Sequence, residues 1–226
     1  KHLAFVIIDE QHRFGTNQRK ALAKKDARLP HLLSMTATPI PRTLALTIYG
    51  DLDITLLDEM PKGRKPVITK VIGPGQETPM YEHVRSELQN GRQAYVICPR
   101  IDEPDPDKET ALNTKSVKAE AERLKKTVFP NYRFDILHSK MTPTEKDKVM
   151  ARFAAHQTDI LVATSVVEVG VNVPNATNII IEGAERFGLS QLHQLRGRVI
   201  RSNHQAYCFA VSSSKSDKTK ERLKAL

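Results

Sequence analysis

Short β-branched apolar runs alternate along this chain with stretches whose apolar residues recur at helical spacing. The runs Leu3–Ile8, His31–Met35, Val67–Ile72, Ala94–Cys98, Phe134–Leu137, Ile160–Ala163, Asn178–Ile181 and Ala206–Val211 predict strands. Segments near Asn17–Lys25, Thr43–Tyr49, Pro79–Gln89, Val117–Val128, Pro143–Ala155 and Ser190–Arg196 predict amphipathic helices. Strands alternating with helices build parallel sheets covered on both faces, so the expected fold class is α/β, a parallel sheet flanked by helices.

The alternation breaks at Asp58-Glu59-Met60-Pro61-Lys62-Gly63-Arg64-Lys65-Pro66, whose Pro, Gly and charge content suits a linker. Two strands precede it, too few for a stable α/β domain, and six follow it. The expected organisation is therefore the tail of one α/β domain over 1–57, a linker over 58–66 and a nearly whole second domain over 67–212. Residues 213–226 would begin a helical extension. Asp102–Asn113, with two prolines and many charges, reads as an exposed loop.

Composition narrows the function. The 226 residues are 39% hydrophobic and 27% charged, enough apolar content to bury a core. A formal net charge of +9 and a pI near 9.6 favour a polyanionic partner, because Lys and Arg neutralise phosphates and release counterions. Cys98 and Cys208 each sit inside an apolar run, as reduced core residues of a cytoplasmic protein would, and no Cys/His spacing predicts a zinc site. No apolar run reaches the ~18 residues of a membrane span. With no Trp and 5% aromatics, an aromatic base-stacking platform is not expected.

Four segments could carry chemistry. Leu3-Ala4-Phe5-Val6-Ile7-Ile8 runs straight into Asp9-Glu10-Gln11-His12. A buried strand ending in two carboxylates delivers, in many NTPases, a Mg²⁺ ligand (Asp9) and a base for the attacking water (Glu10). Taken alone, such a pair is more often a helix cap or a surface feature. The next strand ends in Met35-Thr36-Ala37-Thr38-Pro39, whose hydroxyls suit a relay or an ordinary turn before a helix. Leu161-Val162-Ala163-Thr164 leads into a loop in which Gly170 permits close backbone approach. Thr164 could donate there to a nucleic-acid phosphate, or simply open a helix. Gln194-Leu195-Arg196-Gly197-Arg198-Val199-Ile200-Arg201 holds three arginines; on a helix Arg198 and Arg201 share a face, and guanidinium forks suit triphosphate oxygens. A solvated basic helix is the plainer alternative.

In this order the segments resemble superfamily 2 helicases: Asp9–His12 resembles motif II (Walker B), Thr36–Thr38 motif III, Ala163–Pro174 motif V and Gln194–Arg201 motif VI. The flanking text, Asp9–Gly15, Thr36–Ala45 and Glu182–Arg198, is similar to the RecG branched-DNA helicases and their Mfd relatives. Gln11, where Mfd usually has Glu, and the Asp-Glu-Met-Pro-x-Gly-Arg-Lys text of 58–65 point to the RecG branch.

The resemblance implies a RecA-like P-loop NTPase helicase fold, with a partial first motor domain and a nearly complete second one. It implies ATP and Mg²⁺ as cofactors and an ATP-driven double-stranded DNA translocase that remodels stalled forks and Holliday junctions in repair and recombination. Branched DNA would be the partner, with a single-stranded DNA-binding protein as a further one, for a monomer in the bacterial cytoplasm at the nucleoid. Asp9 would bind Mg²⁺ through water and Glu10 would activate the attacking water. Gln11, His12, Thr36 and Thr38 would couple nucleotide state to DNA. Arg198 and Arg201 would reach the γ-phosphate, placed by Gln194, with Gly170 against the nucleotide. Thr164 and His138 would contact DNA.

This chain departs from that pattern in places. Ser139 replaces a Gly in the family's Leu-His-Gly-Arg-Met stretch. Asn172 stands where an Asp is usual, removing a charge that would hold ribose or an arginine. Ile200 replaces the Gly of Gly-Arg-x-Gly-Arg. If that glycine uses positive φ, a β-branched residue would displace Arg201; if the site is plain helix, Ile200 is tolerated. No Gly-x-x-x-x-Gly-Lys-Ser/Thr occurs, so a piece of a larger enzyme, inactive alone, is expected. An Mfd-like translocase that displaces stalled RNA polymerase is the near alternative. A non-catalytic DNA-binding protein on a decayed helicase fold is the other.

Overall fold

The computed structural model describes residues 4–9, 31–36, 53–57, 63–99, 116–164, 173–200, 203–214 and 216–226. It divides into two compact units, Lys1–Asp58 and Glu59–Leu226.

In the first unit, β1 (Phe5–Ile8) and β2 (His31–Ser34) pair in parallel, from Phe5 opposite His31 to Ile8 opposite Ser34. Ile8 is buried, and Met35 N–H continues the ladder by donating to Ile8 O at 2.8 Å. The helices expected near Asn17–Lys25 and Thr43–Tyr49 lie outside the described residues.

The second unit is built on six parallel strands: β3 (Ile68–Ile72), β4 (Gln93–Cys98), β5 (Phe134–Leu137), β6 (Ile160–Thr164), β7 (Ala176–Ile181) and β8 (Tyr207–Val211). Their spatial order is β3-β8-β7-β4-β6-β5. Every residue of β4, β6 and β7 is buried, as strands covered on both faces require, whereas β3 and β5 form half-exposed edges.

Pleat alternation sends successive side chains into two separate cores. On one side Ala94, Val96, Val162, Ile180 and Phe209 meet Met80, Val84 and Leu88 of α1 (Glu77–Gln89), with Val117, Ala121 and Leu124 from the helical segment α2 (116–123) and its extension. On the other, Tyr95, Ile97, Leu161, Ala163, Ile179 and Ile181 meet Val149, Met150 and Phe153 of α3 (Pro143–Ala154). Leu192 and Leu195 of α4 (Leu189–Arg196) join this second core, as does Leu223 of α5 (Asp217–Lys224). Phe153 stands edge-on to Tyr95 at 5.0 Å between centroids, fully buried. Truncating such a ring to Ala costs about 3–5 kcal/mol.

Local signals explain the helix limits. Pro79 lies inside the first turn of α1, where no N–H is needed, so that helix begins at Glu77 rather than at the expected Pro79. Thr142 caps α3 in a capping box: its Oγ1 accepts from Glu145 N–H at 3.3 Å, and Glu145 Oε2 accepts from Thr142 N–H at 2.7 Å. The helix expected over Val117–Val128 is instead α2 followed by a π turn at Leu124–Val128, closed by Phe129 N–H donating to Leu124 O at 2.7 Å. The extra residue in that turn lets Leu124, Val128 and Phe129 all be buried.

Candidate functional site

All six strands of the second unit run the same way, so one edge of the sheet collects every carboxyl end, where open α/β sheets bind ligands. The residues reaching that edge are Gly73 after β3, Ser212 after β8, Glu182 after β7, Cys98 ending β4, Thr164 ending β6 and His138 after β5.

Thr164 and His138 are brought together by register. Leu137 pairs with Ala163, so the next residue of each strand, His138 and Thr164, emerges side by side. Thr164 is 2% exposed, and its Oγ1 has no hydrogen-bond partner among the described residues. His138 Nδ1 is likewise buried without a partner. A buried polar atom left unpaired costs about 1–3 kcal/mol, so both atoms favour a polar ligand. Burial lowers the His138 pKa below its ordinary value; Lys118, Lys140 and Lys146 push the same way, against Glu145. A neutral imidazole amid three lysines, beside a buried hydroxyl, makes an electropositive, donor-rich surface suited to phosphate oxygens.

The middle of the edge carries Glu182. Burial, reinforced by Glu120 and opposed by Arg123, raises its carboxyl to about 7, and its Oε1 has no partner among the described residues. Nearby, Arg123 of α2 forks onto Glu120, with Nε to Oε2 at 3.0 Å and Nη2 to Oε1 at 2.5 Å, and also donates to Tyr81 Oη at 2.9 Å. Sequence reading missed this group, because an Arg and a Glu three apart on a helix carry no signature of the strand end they face.

On the opposite side of the sheet lies the arginine segment. Gly183, at φ +57, turns the chain out of β7 into a short 3-10 turn, Ala184–Arg186. α4 follows, opened by Gly188 N–H donating to Gln191 Oε1 at 3.0 Å. Leu192, Leu195 and Val199 anchor the segment in the core, leaving Gln194 and Arg198 half-buried on its other faces. α4 ends at Arg196, and Arg198 sits in a separate 3-10 turn, Gly197–Val199. Ile200 then adopts φ −86, ψ 44, neither helix nor left-handed backbone. The regular helical path thus ends before Ile200, and a β-branched residue fits its negative φ without strain.

α5 braces this segment, a contribution no sequence pattern announced. Arg222 donates to the main-chain oxygens of Phe187 at 2.9 Å and Glu185 at 2.8 Å, and Arg196 Nη1 donates to Leu226 O. The Glu185 carboxyl is pushed up by burial, but hydrogen bonds from its own backbone, Ser213 and Ser212 leave it net below its ordinary pKa.

In the first unit Asp9 directly follows β1, and Thr36 lies two residues beyond β2; both are exposed. Ile8 faces Ser34 in the ladder, so Asp9 and Thr36 lie at the same end of the pair. Asp9 offers the hard carboxylate oxygen that Mg²⁺ takes. Glu10, Gln11, His12, Thr38, Gly170 and Arg201 lie outside the described residues. Among the described residues no three His, Cys, Asp or Glu side chains cluster as a metal cage, and no helix is long and apolar enough to cross a membrane.

Comparison with known proteins shows what this arrangement accompanies. A family model, the helicase conserved C-terminal domain, matches residues 79–203. The chain is 51% identical over 224 residues to the ATP-dependent DNA helicase RecG of Synechocystis sp., covering 99% of this chain and 26% of that protein. It is 55% identical over 212 residues to RecG of Aquifex aeolicus, covering 93% of this chain and 26% of the relative. It thus spans about a quarter of the length of these relatives. Among solved structures, RecG bound to a three-way DNA junction superposes with a TM-score of 0.73 at 44% identity, covering 100% of this chain and 28% of that one. Mss116p bound to single-stranded RNA and AMP-PNP shares the fold, with a TM-score of 0.64 at 16% identity.

Proposed function

The chain belongs to the helicase conserved C-terminal domain family, and from that premise we propose that it is the C-terminal motor portion of a RecG-type ATP-dependent DNA helicase. The observation that carries the reading is half-identity to RecG helicases along virtually the whole sequence. The parent enzyme would remodel stalled forks and Holliday junctions in repair and recombination, as a monomer in the bacterial cytoplasm, with branched DNA and a single-stranded DNA-binding protein as partners. The first unit would be the tail of motor domain 1, residues 67–212 motor domain 2, and 58–66 the linker between them.

In this reading Glu10 takes a proton from the water that attacks the γ-phosphorus of ATP, and the bond to the bridging oxygen of ADP breaks. Asp9 would hold Mg²⁺ through water, and the ion, when bound, would supply positive charge beside the phosphates. Arg198 and Arg201 stabilise charge on the transferring phosphoryl group, Gln194 places them and Gly170 lies against the nucleotide. Gln11, His12, Thr36 and Thr38 relay nucleotide state. His138 and Thr164 grip backbone phosphates, consistent with their unpaired buried atoms.

The test is fork-stimulated ATP turnover of the full-length protein beside Glu10→Gln. Turnover that the substitution abolishes is the expected result. A parent that binds forks but hydrolyses no ATP would favour the decayed, non-catalytic alternative, which the unstrained backbone at Ile200 does nothing to support. RNA-polymerase displacement by the parent would favour the Mfd-like one.

A further inference from the structure

Register lines up four residues across the carboxyl edge of the second unit. Ile181, Ile97, Ala163 and Leu137 are paired neighbours in β7, β4, β6 and β5. The next residue of each strand completes a row: Glu182, Cys98, Thr164 and His138. Pleat alternation turns this row toward α1 and α2, the side on which Cys98 joins the core. With strands about 4.8 Å apart, Glu182 stands roughly 10 Å from Thr164 and roughly 14 Å from His138.

The two ends of the row carry opposite charge. Lys118, Lys140 and Lys146 act on His138, with Glu145 against them. Glu120, Glu77 and Glu185 act on Glu182, with Arg123 against them. Arg123 is already committed, because it forks onto Glu120 and donates to Tyr81 Oη. Glu182 Oε1 and Glu185 Oε2 are buried with no partner among the described residues. The fold has no use for a carboxylate at that place. Burial among other carboxylates raises the Glu182 carboxyl to about 7, and an amide of the same shape would avoid the conflict.

A polyanion, by contrast, feels that charge. A backbone held at His138 and Thr164 lies beyond the Debye length of about 8 Å from Glu182, so the repulsion there is mostly screened. A backbone that ran on across β4 to β7 would meet the glutamates directly, where no cation replaces its counterions. We propose that Glu182 and Glu185 are specificity-determining residues that fence the edge, confining a DNA backbone to its β5–β6 end and excluding it from its β7 end. This rests on the helicase reading above, with phosphates at His138 and Thr164. The fence acts by repulsion, as surfaces do that reject one alignment of a partner and keep another.

The experiment measures binding of a blunt DNA duplex to the full-length protein at pH 8 over a salt series, for Glu182→Gln and Glu185→Gln, alone and combined. Glu122→Gln is the control, because Glu122 is exposed on α2, paired with Lys126, and its loss removes the same charge elsewhere. The combined variant is expected to bind duplex at least fivefold tighter, with log Kd against log salt steeper by about 0.9, the mark of one added phosphate. Glu122→Gln should change Kd less than twofold. Wild-type affinity should also fall at least twofold from pH 6.5 to 8.5, as Glu182 ionises, and Glu182→Gln should flatten that fall. The groups facing Glu182 through this titration are Glu77 and Tyr81 of α1, Glu120 and Arg123 of α2, Cys98 of β4 and Glu185. Duplex affinity unchanged or weakened in all three glutamine variants overturns the fence. So does an equal gain in Glu122→Gln, which would reduce the effect to net charge, or tighter binding without a steeper salt slope. Should Glu182→Gln fail to fold, Glu185→Gln alone decides by the same criteria. A wild type that binds neither duplex nor fork DNA sinks the helicase reading, and the fence with it.

Discussion

Arg222 reaches from α5 to the main-chain oxygen of Phe187, 2.9 Å away, in the loop that opens α4. That carbonyl and the one at Glu185 would otherwise be part-buried with a donor missing. Arg222→Ala is therefore expected to destabilise the second unit by about 2 kcal/mol, the size of hydrogen bonds from a charged donor. Urea unfolding followed by circular dichroism measures it, and Arg222→Lys should recover part of the loss.

Glu182 ties stability to pH in the unusual direction for a carboxyl group. Its ordinary value is 4.5 and its folded value about 7, so the folded state holds the proton more tightly than the unfolded chain. The stability from the protonated form is complete below 4.5 and is lost as pH rises through 7. Glu182→Gln should raise stability at pH 8 by on the order of 2 kcal/mol and change little at pH 4. Melting curves at the two pH values check this; an equal shift at both would contradict it.

His83 gives the opposite slope. Its ring lies 4.2 Å from Tyr207 and 5.7 Å from Phe209, and burial lowers its pKa from 6.5, with Glu87 opposing and Lys70 assisting. The contribution of the neutral ring is complete above 6.5 and fades as pH falls from there toward the lower folded value. His83→Phe keeps an aromatic ring and abolishes the titration, so the decline in Tm between pH 7.5 and about 5.5 should flatten.

Catalysis should follow the sequence content. The 226-residue chain, with no phosphate-cradling Gly-Lys-Ser/Thr segment, is expected to hydrolyse ATP negligibly even with fork DNA present. In the full-length protein Arg198→Ala should lower kcat by about 10³-fold, the scale of an arginine acting on transferring phosphoryl charge. A steady-state phosphate-release assay measures both.

The alternation of apolar runs and helical periodicity fixed the class of fold on its own. Each of the eight expected strands appears within two residues of its expected start and end; β4, β6 and β7, buried on both faces, had to be continuous apolar runs, while the more exposed β1, β2, β3 and β5 were marked by β-branched or apolar residues alone. The resemblance of the motif text to RecG helicases was equally legible, since it lies in local words such as Asp9–Gly15 and Glu182–Arg198. What the sequence could not carry depends on distant segments meeting. The order β3-β8-β7-β4-β6-β5 sets His138 beside Thr164, and nothing local to either residue says so. The π turn after α2, the end of the helical path before Ile200 and the grip of Arg222 on two carbonyls arise the same way. A side-chain donor spends its hydrogen bond on whichever unpaired carbonyl the packed core leaves within reach, and only the tertiary structure decides which one that is.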